Sequence, residues 1–164
     1  MKFFSAKEEP TKEQLVEQII LDNYNRYYRL AYSYVHNPDD AGDIVQNGAY
    51  QAIKNSGTLK HKEYAATWVY RIMLNEIFRF LKLPDTISWE ELPREHGTND
   101  VYEDLDLINA LNSLPIEDKA VIELRYFEGL KLEEIAEVLE ENVSTIKSRL
   151  YRGIQKLKIR MEVS

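Results

Sequence analysis

Apolar residues recur at three- and four-residue steps along most of the chain, the period of one face of a helix. The first such segment covers about 11–36, with Leu15, Ile19, Leu30, Ala31 and Tyr34 as its inward positions. Thr11 and Glu13 stand near its start, and Asn37-Pro38 ends it. Asp39 is placed to cap a second helix over about 40–55, whose stripe is Ile44, Val45, Ala49, Ala52 and Ile53. Asn55-Ser56-Gly57 breaks that helix. After a polar loop a third helix is expected over about 64–83, with Trp68, Ile72, Leu74, Ile77 and Leu81 inward and Pro84 as its stop. Trp68 reads as core.

The pattern then lapses. Over 85–106 stand Asp85, Glu90, Glu91, Glu95, Asp100, Glu103, Asp104 and Asp106 against one arginine, Arg94, with Pro93 and Gly97 among them. An acidic, weakly periodic stretch between two helical blocks reads as a linker. Periodicity resumes near Leu105. Leu107, Ile108, Leu111 and Leu114 predict a short helix ended by Pro115; Ala120, Val121, Leu124 and Phe127 a second, closed by Gly129. Leu132, Ile135, Ala136 and Leu139 predict a third, and Ile146, Leu150, Ile154, Leu157 and Met161 a fourth beyond Glu140-Glu141-Asn142. No alternation suggests strands, so the expected class is all-α. The expected organisation is two small helical domains, 11–84 and 105–162, joined by an acidic linker at 85–104.

The chain has 164 residues, 44% of them hydrophobic, which suits a folded protein. It has no cysteine, which excludes disulfides and thiolate metal sites. Its first ten residues carry two large apolar side chains, Phe3 and Phe4, before charges arrive, unlike a secretory signal. No later stretch is apolar enough to span a bilayer, so a cytoplasmic protein without direct membrane binding is expected. His36, His61 and His96 lie in unrelated segments, with neither metal-ligand spacing nor a nucleophile motif. No phosphate-binding glycine loop is present. An enzyme is therefore not expected, nor a metal or other cofactor.

The formal charge of -7 opposes nucleic-acid binding as a bulk property, but its distribution changes the picture. From 144 to 160 the cations are Lys147, Arg149, Arg152, Lys156, Lys158 and Arg160, with no acid among them. The two preceding helices carry Glu117, Asp118, Glu123, Glu128, Glu133, Glu134 and Glu137. Two helices joined by a short turn, the second one basic, form the pattern of a helix-turn-helix. With Ile146 at the centre of the buried face, Ser144, Ser148, Tyr151 and Gln155 point outward, flanked by Lys147 and Arg152. Arg and Lys donate to guanine edges, hydroxyls serve bases or phosphates, and an aromatic edge contacts a thymine methyl. Ser144 and Thr145 lie at the helix start, where free amides favour a phosphate. The competing reading is a solvated amphipathic helix whose basic end suits its dipole.

Leu132 to Leu139 followed by Val143-Ser144-Thr145-Ile146-Lys147-Ser148-Arg149-Leu150-Tyr151-Arg152-Gly153 resembles region 4 of the extracytoplasmic-function (ECF) sigma factors, of the RNA polymerase sigma-70 family. Leu114-Pro115-Ile116-Glu117 and Leu124-Arg125-Tyr126-Phe127-Glu128-Gly129-Leu130 match the same region. Tyr28-Arg29-Leu30-Ala31 and Asn37-Pro38-Asp39-Asp40-Ala41-Gly42-Asp43-Ile44-Val45-Gln46 resemble region 2, and Thr67 to Asn75 its promoter-melting helix. Within the family the pattern is nearest the sigma-V-like group.

The resemblance implies a function: directing core RNA polymerase to stress-type promoters and starting transcription there. It implies partners as well: the β′ coiled coil and β flap of the polymerase, promoter DNA, and a membrane-anchored anti-sigma factor. It assigns polymerase docking to Asp39, Asp40, Asp43 and Gln46. It assigns capture of the downstream (minus-10) strand to Lys60, His61, Lys62, Tyr64, Arg71 and Asn75, a mix of cations and an aromatic suited to single-stranded DNA. It assigns the upstream (minus-35) element to Ser144, Thr145, Lys147, Ser148, Tyr151 and Arg152, with Arg152 as a base reader. The acidic linker would thread towards the RNA exit path. Two departures stand out. Asn47-Gly48 follows Gln46 where the family usually has glutamate, which removes a charge and is expected to loosen the helix. Only Arg79 and Lys82 follow the melting helix, where the family often has a run of arginines. Two other readings stay open: a helix-turn-helix regulator that works without polymerase, and an acidic helical adaptor that binds only protein.

Overall fold

The computed structural model describes residues 9–82 and 102–163. Among these no strand occurs, and the chain divides into two compact units, 1–92 and 93–164. The expected stop at Pro84, the acidic stretch up to 101 with His96, and the side chains of Arg160 and Met161 lie outside the described residues.

The N-terminal unit packs three helices: α1 (Lys12–Val35), α2 (Pro38–Lys54) and α3 (Ala65–Lys82). A capping box starts α1: the Gln14 amide donates to Thr11 Oγ1 at 3.1 Å and the Thr11 amide to Gln14 Oε1 at 3.0 Å. Helix α1 bends at Asn23, whose side-chain amide donates to the Ile19 carbonyl at 2.8 Å. Its buried stripe is Val16, Ile20, Tyr27, Leu30, Ala31 and Tyr34. Leu15 and Ile19, expected inward, are only half-buried; the helix turns their neighbours Val16 and Ile20 to the core instead.

Helix α2 starts two residues earlier than expected. Its cap is Asn37, whose Oδ1 accepts from the Asp40 amide at 2.9 Å, with Pro38 in the first turn. Asp39 is therefore inside the helix rather than its cap. Ala41, Ile44, Val45, Gly48 and Ala52 are buried. Helix α2 runs through Gly48 without a break. A β-carbon there would stand 2.5 Å from Met73 Sδ, so the glycine lets α2 and α3 approach closely. Helix α3 turns Val69, Tyr70, Met73, Leu74 and Ile77 inward. Trp68, Ile72 and Leu81 are partly exposed, which corrects the expected stripe.

The C-terminal unit holds α4 (Tyr102–Asn112), α5 (Ile116–Ile122), α6 (Leu132–Leu139) and α7 (Val143–Val163). Helix α4 begins at Tyr102, so residues 102–104 are helical rather than linker. Ala110, Leu111 and Leu114 are buried, whereas Ile108 is exposed. After α5 the chain widens into one π-helical turn, Glu123–Phe127, which ends with Gly129 at φ 72°. Phe127, expected in the core, is exposed; Leu124 is buried as expected, and Leu130 is buried beyond it. Three charged residues of this segment, Asp118, Lys119 and Glu123, are buried. The Lys119 ammonium donates to Asn112 Oδ1 at 2.8 Å. Burial pushes its pKa down to about 8, against the pull of the Glu123 charge.

Candidate nucleic-acid interface

Residues 140–142 join α6 to α7 in a tight Schellman turn. Glu140 is left-handed at φ 56°, an uncommon conformation for a residue with a side chain. Two backbone bonds hold it there: the Glu140 amide donates to the Glu137 carbonyl at 3.3 Å and the Glu141 amide to the Ala136 carbonyl at 2.9 Å. Asn142 then caps α7, its Oδ1 accepting from the Thr145 amide at 2.8 Å. Arg149 Nη2 reaches back to Glu141 Oε1 at 3.2 Å and ties α7 to the turn. Ile146 is fully buried and fixes the roll of α7, which packs against α4, α5 and α6.

That roll decides what α7 presents. Ser144, Lys147, Ser148, Tyr151, Arg152 and Gln155 are exposed, Tyr151 to 69%, and Thr145 is partly exposed. The six residues assigned to the upstream element thus share one helix and its first turns. Lys147, Lys156 and Lys158 are exposed as well.

Arg152 differs from the lysines. Its Nε donates to Asp118 Oδ2 at 2.8 Å and its Nη2 to Asp118 Oδ1 at 2.7 Å. The hydrogen bond and the charge of Asp118 both raise the guanidinium pKa. Asp118 is 0% exposed, while the Arg152 side chain stays 52% exposed. The reader expected to stand free in solvent has one edge held by a buried carboxylate. The sequence shows Asp118 only as one of the acids preceding α7, because nothing in it pairs residues 34 apart.

In the N-terminal unit the loop between α2 and α3 is anchored by buried Ser56 and Leu59. Beyond it Lys60, His61 and Tyr64 are exposed, Tyr64 to 53%. The His61 ring meets Tyr64 edge-on at 6.0 Å between centroids and lies 3.7 Å from Glu63 Oε1. Lys62 is not open: its ammonium donates to the Pro10 carbonyl at 2.7 Å and lies 3.7 Å from Glu9 Oε2. Arg71 is partly exposed and Asn75 exposed, on the same side of α3 by their spacing. Partly exposed Trp68 falls on that row, three residues before Arg71. Its spacing from Arg71 and Asn75 was the signal to weigh against its size. Past this row the exposed Arg79 pairs with buried Glu76 at 3.2 Å, and Lys82 is exposed at the described end of α3.

The assigned docking residues also cluster. Asp39, Asp43 and Gln46 are exposed along one face of α2, with Asp40 partly exposed beside them. Tyr50, 62% exposed, continues the row four residues after Gln46, a position the sequence reading missed. Among the described residues no three metal-ligating side chains cluster, and no helix is long and apolar enough to cross a membrane.

Comparison with known proteins bears on both units. Residues 19–83 match the family model described as Sigma-70 region 2, and residues 104–157 the one described as Sigma-70, region 4. The chain is 40% identical over 161 residues to the RNA polymerase sigma factor SigV of Bacillus subtilis (strain 168), covering 94% of this chain and 96% of that one. It is 30% identical over 159 residues to the ECF RNA polymerase sigma factor SigW of the same organism, covering 85% of each. Among solved structures, RpoE bound to the anti-sigma factor NepR from Bartonella quintana superposes with a TM-score of 0.70 at 22% identity, over 90% of this chain and 97% of that one. CnrH bound to the cytosolic domain of CnrY gives 0.70 at 19% identity, over 94% and 99%. At these identities the structures speak for the fold, and the sequence matches speak for kinship. With both sigma regions present in order and curated relatives aligned along nearly its whole length, the chain belongs to the extracytoplasmic-function sigma factors of the RNA polymerase sigma-70 family.

Proposed function

We propose that this alternative sigma factor divides promoter recognition between its two units. The exposed acidic face of α2, Asp39, Asp40, Asp43 and Gln46, docks on the polymerase β′ coiled coil, and the C-terminal unit meets the β flap. Lys60, His61, Lys62, Tyr64, Arg71 and Asn75 receive the melted minus-10 strand, with Lys62 first leaving Pro10. Ser144, Thr145, Lys147, Ser148, Tyr151 and Arg152 meet the minus-35 duplex. The observation that carries this reading is the outward row of α7: cations, hydroxyls and an aromatic on the second helix of a helix-turn-helix, within an otherwise acidic chain.

The division of work follows from electrostatics. A chain of net charge -7 gains little from non-specific phosphate attraction, so its few base-reading contacts need a second anchor. Core polymerase supplies that anchor. The factor performs no chemistry itself and needs no cofactor; catalysis stays with the polymerase, in the cytoplasm. One structural relative is bound to an anti-sigma factor and another to the cytosolic domain of CnrY. Those complexes support extending the partnership to this chain, with a membrane-anchored anti-sigma factor holding it inactive.

Binding to promoter duplex at physiological salt tests the reading. The free chain is expected to bind poorly, and adding core polymerase should create promoter-specific binding. Tight sequence-specific binding by the free chain, unchanged by polymerase, would mark a helix-turn-helix regulator that works alone.

A further inference from the structure

The pairing of Asp118 with Arg152 bears on how the minus-35 element is read. Helix α5 brings Asp118 against the backbone of α7 at Gly153. A β-carbon at that glycine would lie 2.5 Å from Ile122 Cδ1 and 3.8 Å from Asp118 Cβ, so the side chains of α5 pack directly on the α7 backbone there. A fully buried carboxylate needs a partner, because its charge has lost water. The partner comes from the outward row of the recognition helix rather than from the core.

The mode of pairing matters. A guanidinium is a rigid plane with five N–H donors. Asp118 takes the side edge, one hydrogen from Nε and one from Nη2. The end edge, formed by Nη1 and the second Nη2 hydrogen, is not used in either bond. That edge matches the O6 and N7 acceptors of guanine in the major groove. Arg152 is half exposed, so its head is not sealed in by the carboxylate. An unsupported arginine must give up rotamer freedom to present such an edge; one held at its other edge is already oriented. Arg149, by contrast, makes one 3.2 Å bond to Glu141 with 18% of its side chain exposed, and belongs to the turn.

We infer that Asp118, which makes no contact with DNA itself, is a specificity-determining positioning residue: it buttresses Arg152 so that the free guanidinium edge reads one base pair, most naturally a guanine, of the upstream element. This rests on the reading of α7 as the recognition helix, and the test separates the two.

The test uses the full chain with core polymerase on promoters randomised across the upstream element. Asp118→Asn keeps one accepting oxygen, and Asp118→Leu replaces a buried charge by an apolar side chain beside Ile122. Both should relax preference at a single position, by roughly tenfold, and leave the other positions intact. Arg152→Ala should flatten the same position, and Asp118→Leu combined with Arg152→Ala should flatten it no further. Circular dichroism checks the fold; if Asp118→Asn unfolds, Asp118→Leu decides. A uniform loss across the library with every preference kept would make the pair a structural clamp and overturn the inference. So would Asp118 and Arg152 variants that relax different positions. If the unaltered chain shows no preference at any upstream position, the recognition-helix reading fails and the inference with it.

Discussion

On α2 the side chains proposed for polymerase docking, Asp39, Asp43 and Gln46, stand on one exposed face, while Ala41, Ile44, Val45 and Ala52 enter an apolar core on the other. Among the described residues of the N-terminal unit the one buried charge is Glu76, near the end of α3. In the C-terminal unit Asp118, Lys119 and Glu123 are all buried, and Asp118 holds Arg152, a residue of the α7 row proposed to read DNA. Function can therefore be changed without touching stability in one unit more readily than in the other. On α2 a charge can be reversed in water at little structural cost. On α7 the surface proposed to read DNA and the buried support beneath it meet at Arg152, so a change at one is felt at the other.

The most damaging change expected is at the support. Ile146→Ala removes a fully buried side chain from the axis of α7 and should cost the C-terminal unit about 2–5 kcal/mol, with promoter-directed transcription lost. Urea unfolding measures this; a cost below roughly 1 kcal/mol would mean that apolar packing does not hold α7.

Next comes the buried ammonium. Lys119 has a pKa of about 8 in the fold against an ordinary 10.5. Between those values the unfolded chain binds more protons, so this group's contribution to stability rises with pH through that window and its cost is fully present below it. The full cost is on the order of 3 kcal/mol at most. The stability of Lys119→Met relative to the unaltered chain should therefore be highest near neutral pH and should shrink as pH climbs from about 8 towards 10.5. A difference that stays constant across that window would show that Lys119 is solvated, and would remove half of the contrast between the units.

Asp43→Arg probes the other side of the comparison. Core-polymerase affinity should fall roughly tenfold, while stability stays within about 0.5 kcal/mol. Unchanged affinity would take Asp43 off the docking face. The smallest effect is expected from Thr145→Ala at the start of α7. Loss of one phosphate contact should lower transcription about threefold or less, equally for promoters that differ in the upstream element. A change in preferred sequence would instead make Thr145 a base reader.

The helices were legible because their breaks are chemical: Asn37-Pro38, Asn55-Ser56-Gly57, Pro115 and Gly129 interrupt a clear period. The phase within them was less so. In the first half of α1 apolar residues occupy adjacent positions, Leu15 with Val16 and Ile19 with Ile20, so periodicity alone does not choose the buried pair. The exposed polar rows of α2 and α7 were legible because their residues follow the helical step. The support beneath the reading face was not. Asp118, Lys119 and Glu123 look like solvated charges in the sequence, and their burial depends on partners from α4 and α7 that only the tertiary fold brings near. The roles of Gly48 and Gly153 were not legible for the same reason; each marks a close approach between helices.

As a sigma factor, this chain gives core polymerase a promoter preference it does not otherwise have. Transcribing the genome of its own cell with core polymerase alone, and then with the chain added, and mapping RNA 5′ ends tests this most directly. A new set of 5′ ends should appear only with the chain, preceded by a shared two-part motif at a fixed spacing. An unchanged set of ends, from a chain shown to be folded, would contradict the account.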